Sequence, residues 1–187
     1  MFGGGDDYNK LLFELEKQEL EAPGGVATPL VYEQMLALLL LRNDLCNAKY
    51  LWKRIPLAMK TGNLELLQVW TVGQRMWQRN FPGIYESLNQ SWSDNVRLIM
   101  AALTETTRKQ AIQLVSQAYS SISFEDFSQF VGLPIEQAVQ LAQQQGWMVD
   151  AGCKMILPKK SGPTSSAVKP TEEHLLKLTD FVSFLEN

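Results

Sequence analysis

Residues 123–157 read SFEDFSQFVGLPIEQAVQLAQQQGWMVDAGCKMIL, and the punctuation of this stretch decides the fold. Ser123, with Asp126 three residues on, is a capping-box variant, so a short helix opens there and closes at Gly132. Leu133-Pro134 opens a second helix over 135–145, and Gly146 stops it. Trp147-Met148-Val149 and residues 153–157 are short apolar stretches on either side of Asp150-Ala151-Gly152, which makes a hairpin. A long helix, a short helix, a turn, a helix and a hairpin follow one another in the order of a winged helix. The spacing therefore predicts a winged-helix region at 122–158. A plain helical bundle with a ragged end is the competing arrangement.

Residues 6–121 read as a helical-repeat region. The first helix runs from 6 or 7 to 20, with Leu11, Leu12, Leu15 and Phe13 turned inward, and Pro23-Gly24-Gly25 breaks it. Thr28-Pro29 supplies a cap followed by proline at the first helical position. The helix this begins, 30–42, is apolar around most of its circumference, so it belongs between neighbours. Asn43-Asp44 is a tight break, after which Ala48, Leu51, Trp52 and Ile55 mark a helix running to Pro56, antiparallel to the one before. Asn63 opens the next, with Leu66, Leu67, Trp70, Gly73 and Trp77 at helical spacing and Gly73 free for a close helix approach. Phe81-Pro82-Gly83 punctuates again. A long helix capped by Ser93 or Asp94 then carries Val96, Ile99, Met100, Leu103, Ala111, Leu114, Val115 and Ala118 on one face. The series is a short solenoid of helical hairpins without an exact repeat.

Downstream, residues 159–170 turn to Lys, Ser, Gly, Pro and Thr and read as a flexible linker. Residues 171–187 form a C-terminal helix striped by Leu175, Leu178, Val182 and Leu185, with Phe181 beside the stripe. That stripe must be buried, either on its own domain or in a bundle of helices from other chains. Each large apolar side chain buried contributes roughly 1.5–3 kcal/mol before ordering costs, which is ample to drive assembly.

The composition excludes several functions. The chain has 187 residues, 45% hydrophobic and 20% charged, with a net charge of −3 that gives no long-range attraction to phosphates or anionic membranes. Its first seven residues lack the basic start and apolar stretch of a secretory leader, and the longest apolar run, 35–41, falls short of the roughly 20 residues a membrane span requires. Cys46 and Cys153 read as reduced thiols, one on a helix and one on a strand, so cytoplasm and nucleus are the expected compartments. The single histidine, His174, has no metal-ligand pattern around it, and no phosphate-binding glycine loop or dinucleotide motif occurs. The expectation is a chain that is not an enzyme, with no metal and no cofactor. A nucleic-acid-binding winged helix would place cations in its reading helix, yet 135–145 contains Glu136 and no Lys or Arg. Between 121 and 160, three lysines face four carboxylates. What remains is protein contact. The strand 153–157 reads as a free sheet edge, with Cys153, Met155 and Leu157 toward the helices and Lys154 and Ile156 away; a short, merely solvated edge is the equal alternative.

Several longer stretches carry a resemblance. They are residues 21–25 (EAPGG), 50–56 (YLWKRIP), 77–85 (WQRNFPGIY), 130–134 (FVGLP), 145–147 (QGW) and 178–187 (LTDFVSFLEN). In these the chain resembles the PCI-domain proteins of the proteasome lid, the signalosome and translation initiation factor three. Within them it is most similar to the family of the smallest, eighth subunits of the constitutive-photomorphogenesis (COP-nine) signalosome. The resemblance implies helical repeats followed by a winged helix, and a non-catalytic scaffold. It also implies membership of a complex that removes a Nedd-type modifier from the cullins of RING ubiquitin ligases through a zinc-dependent isopeptidase on another chain. It further implies a ring contact with the third subunit through Lys154, Met155, Ile156 and Leu157. Leu175, Leu178, Phe181, Val182 and Leu185 would enter a shared helix bundle. A homologous subunit of the proteasome lid or initiation factor three is the alternative, and a nucleic-acid binder a more distant one.

Overall fold

The computed structural model describes residues 5–159 and residue 179. Its first core is organised around α2 (Pro29–Leu41), where Val31, Tyr32, Glu33 and the whole run from Met35 to Leu40 are buried. A helix apolar on all sides needs neighbours all round. These are α1 (Gly5–Glu21), α3 (Leu45–Arg54), α5 (Leu64–Trp77) and α7 (Asp94–Ala118), all packed on α2. The expected mainly α architecture is what the chain adopts.

Local chemistry sets the joints. Pro23–Gly25 is a single 3-10 turn in which Gly24 and Gly25 both take φ +70°. Thr28 caps α2 without a side-chain hydrogen bond. Instead the Tyr32 hydroxyl accepts from the Ala27 N–H at 3.2 Å and anchors the entry to the helix. Asp44 caps α3 by accepting from Asn47 N–H at 3.2 Å. Gly73 sits where α5 meets α2, and a Cβ there would lie 3.1 Å from Leu40 Cδ2.

Four expectations need correction here. Phe13 is 70% exposed, because it lies a residue off the buried stripe of Leu12, Leu15 and Glu19. A short helix, α4 (Leu57–Gly62), follows Pro56 where none is expected; none of its residues is buried, so it leaves no apolar period to read. Phe81-Pro82-Gly83 is the first turn of α6 (Phe81–Leu88), not a break. Proline suits that position, and the Asn80 side chain caps it by accepting from Gly83 N–H at 3.1 Å. Finally, Leu114 is 50% exposed and Ala118 lies on the surface. α7 leaves the first core after Leu103 and enters the second at Val115, so a single face does not persist along its 25 residues.

That second core belongs to the winged helix: β1 (Ile122–Ser123), α8 (Phe124–Val131), α9 (Ile135–Gln144), β2 (Met148–Asp150) and β3 (Met155–Leu157). β1 is too short to announce itself in the sequence. The sheet is antiparallel in the order β1-β3-β2. Its core gathers Val115, Ile122, Phe127, Val131, Ala138, Ala142, Trp147 and Ile156. Ser123 Oγ caps α8 by accepting from Asp126 N–H at 3.1 Å and donates to Asp126 Oδ2 at 2.7 Å. Gly132 ends α8 at φ +64°. His174 and the expected helix with Leu175, Leu178, Phe181, Val182 and Leu185 lie outside the described residues. So does the linker after Lys159, and Thr179 is described as helical and exposed.

Candidate protein-interaction surface

The strand expected to be a free edge is the central one. Met155 pairs with Ser123 on one side and Asp150 on the other, and Ile156 pairs with both Ile122 and Val149. Its facing is also reversed. Ile156 is fully buried, whereas Leu157 is 40% exposed and Cys153 and Lys154 lie on the surface. The register explains this. It lines up Ile122, Ile156 and Val149 in one row of β-branched apolar side chains, and that row takes the core face. The strand begins only at Met155, because the turn before it is stabilised by Asp150: Oδ1 accepts from Gly152 N–H at 2.9 Å and Cys153 N–H at 3.3 Å. Those bonds, the one from Cys153 foremost, hold the Asp150 carboxyl below the usual carboxylate range. Cys153 is thus a turn residue, and Lys154 takes φ +54° while its carbonyl accepts from Phe124 N–H at 3.1 Å.

Among the described residues, the unpaired edges belong to β1 and β2. β1 has two residues; β2 has three and begins with Met148, which is 70% exposed. An apolar side chain on an open strand edge is what strand addition by another chain uses. Alternation alone does not reveal this edge. Met148 pairs across the strands with Leu157, and both side chains are exposed.

The helix that would read nucleic acid presents Glu136, Gln137, Gln140 and Gln143 to solvent, with Ile135 44% exposed. Two residues the sequence reading did not single out hold this winged helix to the helical repeats. The Tyr85 hydroxyl donates to the Phe130 carbonyl at 3.1 Å, and Arg108 Nε donates to the Val131 carbonyl at 3.1 Å. Both carbonyls end α8, where helical partners run out, so α6 and α7 supply the missing donors. Arg108 Nη1 also reaches Glu105 at 2.6 Å. Burial pushes the Tyr85 phenol up to about 12, with Arg108 acting against it and Glu105 with it.

Among the described residues, no group of three or more His, Cys, Asp or Glu is placed to hold a metal ion. No helix among them is long and apolar enough to cross a membrane. Cys46 and Cys153 are both free and exposed.

The sequence profile of the CSN8/PSMD8/EIF3K family matches residues 26–167. The chain is 54% identical to COP9 signalosome complex subunit 8 of Danio rerio over 95% of its own length and 94% of the relative's. It is 53% identical to the subunit 8 of Xenopus laevis over 96% and 93%. With the Arabidopsis thaliana subunit 8 it shares 33% identity over 78% and 74%. With helical repeats, a winged helix and near full-length likeness all in one chain, it belongs to the CSN8/PSMD8/EIF3K family, in its COP9 signalosome subunit 8 branch.

Proposed function

We propose that this chain is a non-catalytic assembly subunit of the COP9 signalosome, in cytoplasm and nucleus, and that it works by holding other subunits. The observation carrying this reading is a winged helix with an open, apolar β2 edge at Met148 and a solvent face on α9 without a single Lys or Arg. A reading helix of this kind has no cations with which to displace the counterions of a duplex, and such a domain joins protein to protein. The third subunit is the expected neighbour at the sheet. Residues Met155 to Leu157 support that contact from the centre of the sheet, and β2 makes its rim. The segment with Leu175, Leu178, Phe181, Val182 and Leu185 enters a helix bundle built with other subunits. Removal of the Nedd-type modifier is the work of a different chain.

Reconstitution with the other signalosome subunits tests this. Leu178→Asp or Phe181→Asp releases the chain from the complex while its circular dichroism and unfolding midpoint stay those of the parent. Met148→Asp weakens the pairwise contact with the third subunit. Unchanged assembly of all three variants refutes the proposal, as does salt-dependent binding of the unaltered chain to duplex DNA at physiological ionic strength.

A further inference from the structure

Among the described residues, the helical repeats carry a groove that the winged helix does not cover. It opens between α3 and α5, encloses about 320 Å³, and is lined by Leu40, Ala48, Lys49, Trp70, Gly73 and Trp77 among others. Gly73 gives it depth, since any side chain there would enter the space beside Leu40. On one flank Lys49 Nζ lies 4.8 Å from the centroid of Trp77, which is 53% exposed. On the other, Trp70 stacks on Trp52 at 5.0 Å with the rings 7° from parallel, and Lys60 Nζ lies 5.0 Å over Trp52. Lys49, Trp70 and Trp77 thus line an apolar slot, and the Trp52 ring with Lys60 extends from it behind Trp70.

Lys49 is the charged residue in the slot's lining, and the segment that follows it is basic. Residues 45–64 hold Lys49, Lys53, Arg54 and Lys60 and no carboxylate, in a chain whose net charge is −3. Arg54 is paired with Glu19. Among the described residues, no salt bridge engages Lys49, Lys53 or Lys60. Tyr50 on α3, Leu57 on α4 and Leu64 on α5 add exposed apolar surface. The stretches 50–56 and 77–85 supply Trp52 and Trp77, so two of the most distinctive segments of the sequence converge here rather than on the sheet.

We infer that this groove is a second docking site, taking an acidic peptide segment of a partner protein. One bulky apolar side chain of the peptide sits between Trp70 and Trp77, and its carboxylates meet Lys49, Lys53 and Lys60. A single-stranded nucleic acid fits less well, because base stacking needs a free ring face. Here one face of Trp77 is covered by Lys49 and one face of Trp70 by Trp52. An apolar anchor in a desolvated pocket with charge at the rim is the usual anatomy of a peptide hot spot.

The test pans the full chain against displayed random short peptides and measures the winners as labelled synthetic peptides by fluorescence anisotropy. The enriched sequences are net acidic with an aromatic or aliphatic anchor. Lys49→Glu and Trp77→Ala each weaken them roughly tenfold or more. Met148→Asp, on the winged helix, leaves them unchanged, and this separates the result from the fate of the assembly reading. Both groove positions are exposed, so the variants keep the parent's thermal midpoint. The inference is overturned if nothing enriches, if basic or uncharged peptides win, or if acidic winners ignore both substitutions. It is also overturned if binding sensitive to Lys49→Glu is found only for oligouridylate or for phosphatidylserine vesicles.

Discussion

Gly132→Ala and Gly146→Ala make the same chemical change at nearly the same backbone angle, φ +64° and φ +73°. An L-residue in the left-handed region costs roughly 1–2 kcal/mol, so each variant loses about that much. Their surroundings differ. A Cβ at Gly146 meets nothing within 4 Å, whereas one at Gly132 lands on the ring of Tyr85. The ring has to move, and the cleft of about 640 Å³ that it lines beside Gly132 gives it room. Moving breaks the hydrogen bond to the Phe130 carbonyl, a loss of roughly 0.5–1.5 kcal/mol, and disturbs the packing by about another 1. Gly132→Ala should therefore destabilise the chain by roughly 1.5–2.5 kcal/mol more than Gly146→Ala. Urea unfolding followed by circular dichroism reads this as a lower midpoint at unchanged slope. A double variant sharpens it: with Tyr85→Ala in place, the collision is gone and Gly132→Ala costs only its dihedral strain. Equal midpoints for the two glycine variants, or strict additivity with Tyr85→Ala, would refute the idea that Tyr85 clamps the end of α8.

Three further changes test other parts of the structure. Glu33 is 4% exposed and accepts from Asn63 Nδ2 at 2.6 Å; burial first, then the nearby Glu65, raises its pKa, with Asn63 opposing. A raised folded-state value means stability is lost as pH rises from the ordinary carboxylate range through that value. Glu33→Gln should therefore raise the urea midpoint at neutral pH, with the gain vanishing in acid where Glu33 is protonated; a gain independent of pH contradicts this. Arg54 meets the buried Glu19 carboxylate with two bonds, Nε at 2.8 Å and Nη2 at 2.6 Å, so Arg54→Ala should cost about 1–3 kcal/mol by denaturation, with Glu19→Gln restoring part of it. Lys154 takes φ +54°, and Lys154→Gly should gain about 0.5–1 kcal/mol in the same measurement, no gain arguing that the turn is unstrained.

The winged helix was legible because its signals are local: a serine cap, two stop glycines and a helix-opening proline each act within a few residues. The facing of β3 was not. Three residues of alternation fit either parity, and the choice is made by Ile122, more than thirty positions away, whose pairing with Ile156 has no local trace. Strand order is hidden for the same reason: β1 is two residues long, yet it turns β3 from an edge into a centre. Phe81-Pro82-Gly83 shows a different failure. Proline and glycine punctuate, but the first turn of a helix is also where proline is welcome, and only the Asn80 cap decides between the two. Tyr85 and Arg108 could not be found from spacing, since they act on carbonyls 45 and 23 residues downstream.

These long-range bonds bear on how the chain would serve an assembly. α7 enters both cores without interruption, and Tyr85 and Arg108 tie the end of α8 to α6 and α7. The winged helix therefore has a fixed orientation on the helical repeats. A partner strand added at β2 would fix the direction of the repeats, and with it the direction of the groove between α3 and α5. An independent swivelling domain would bind the same sheet edge with equal affinity and transmit no geometry. Loosening the clamp through Tyr85→Ala should accordingly leave the pairwise sheet contact intact while impairing closure of the whole complex. Loss of the pairwise contact itself would show that Tyr85 merely keeps the winged helix folded.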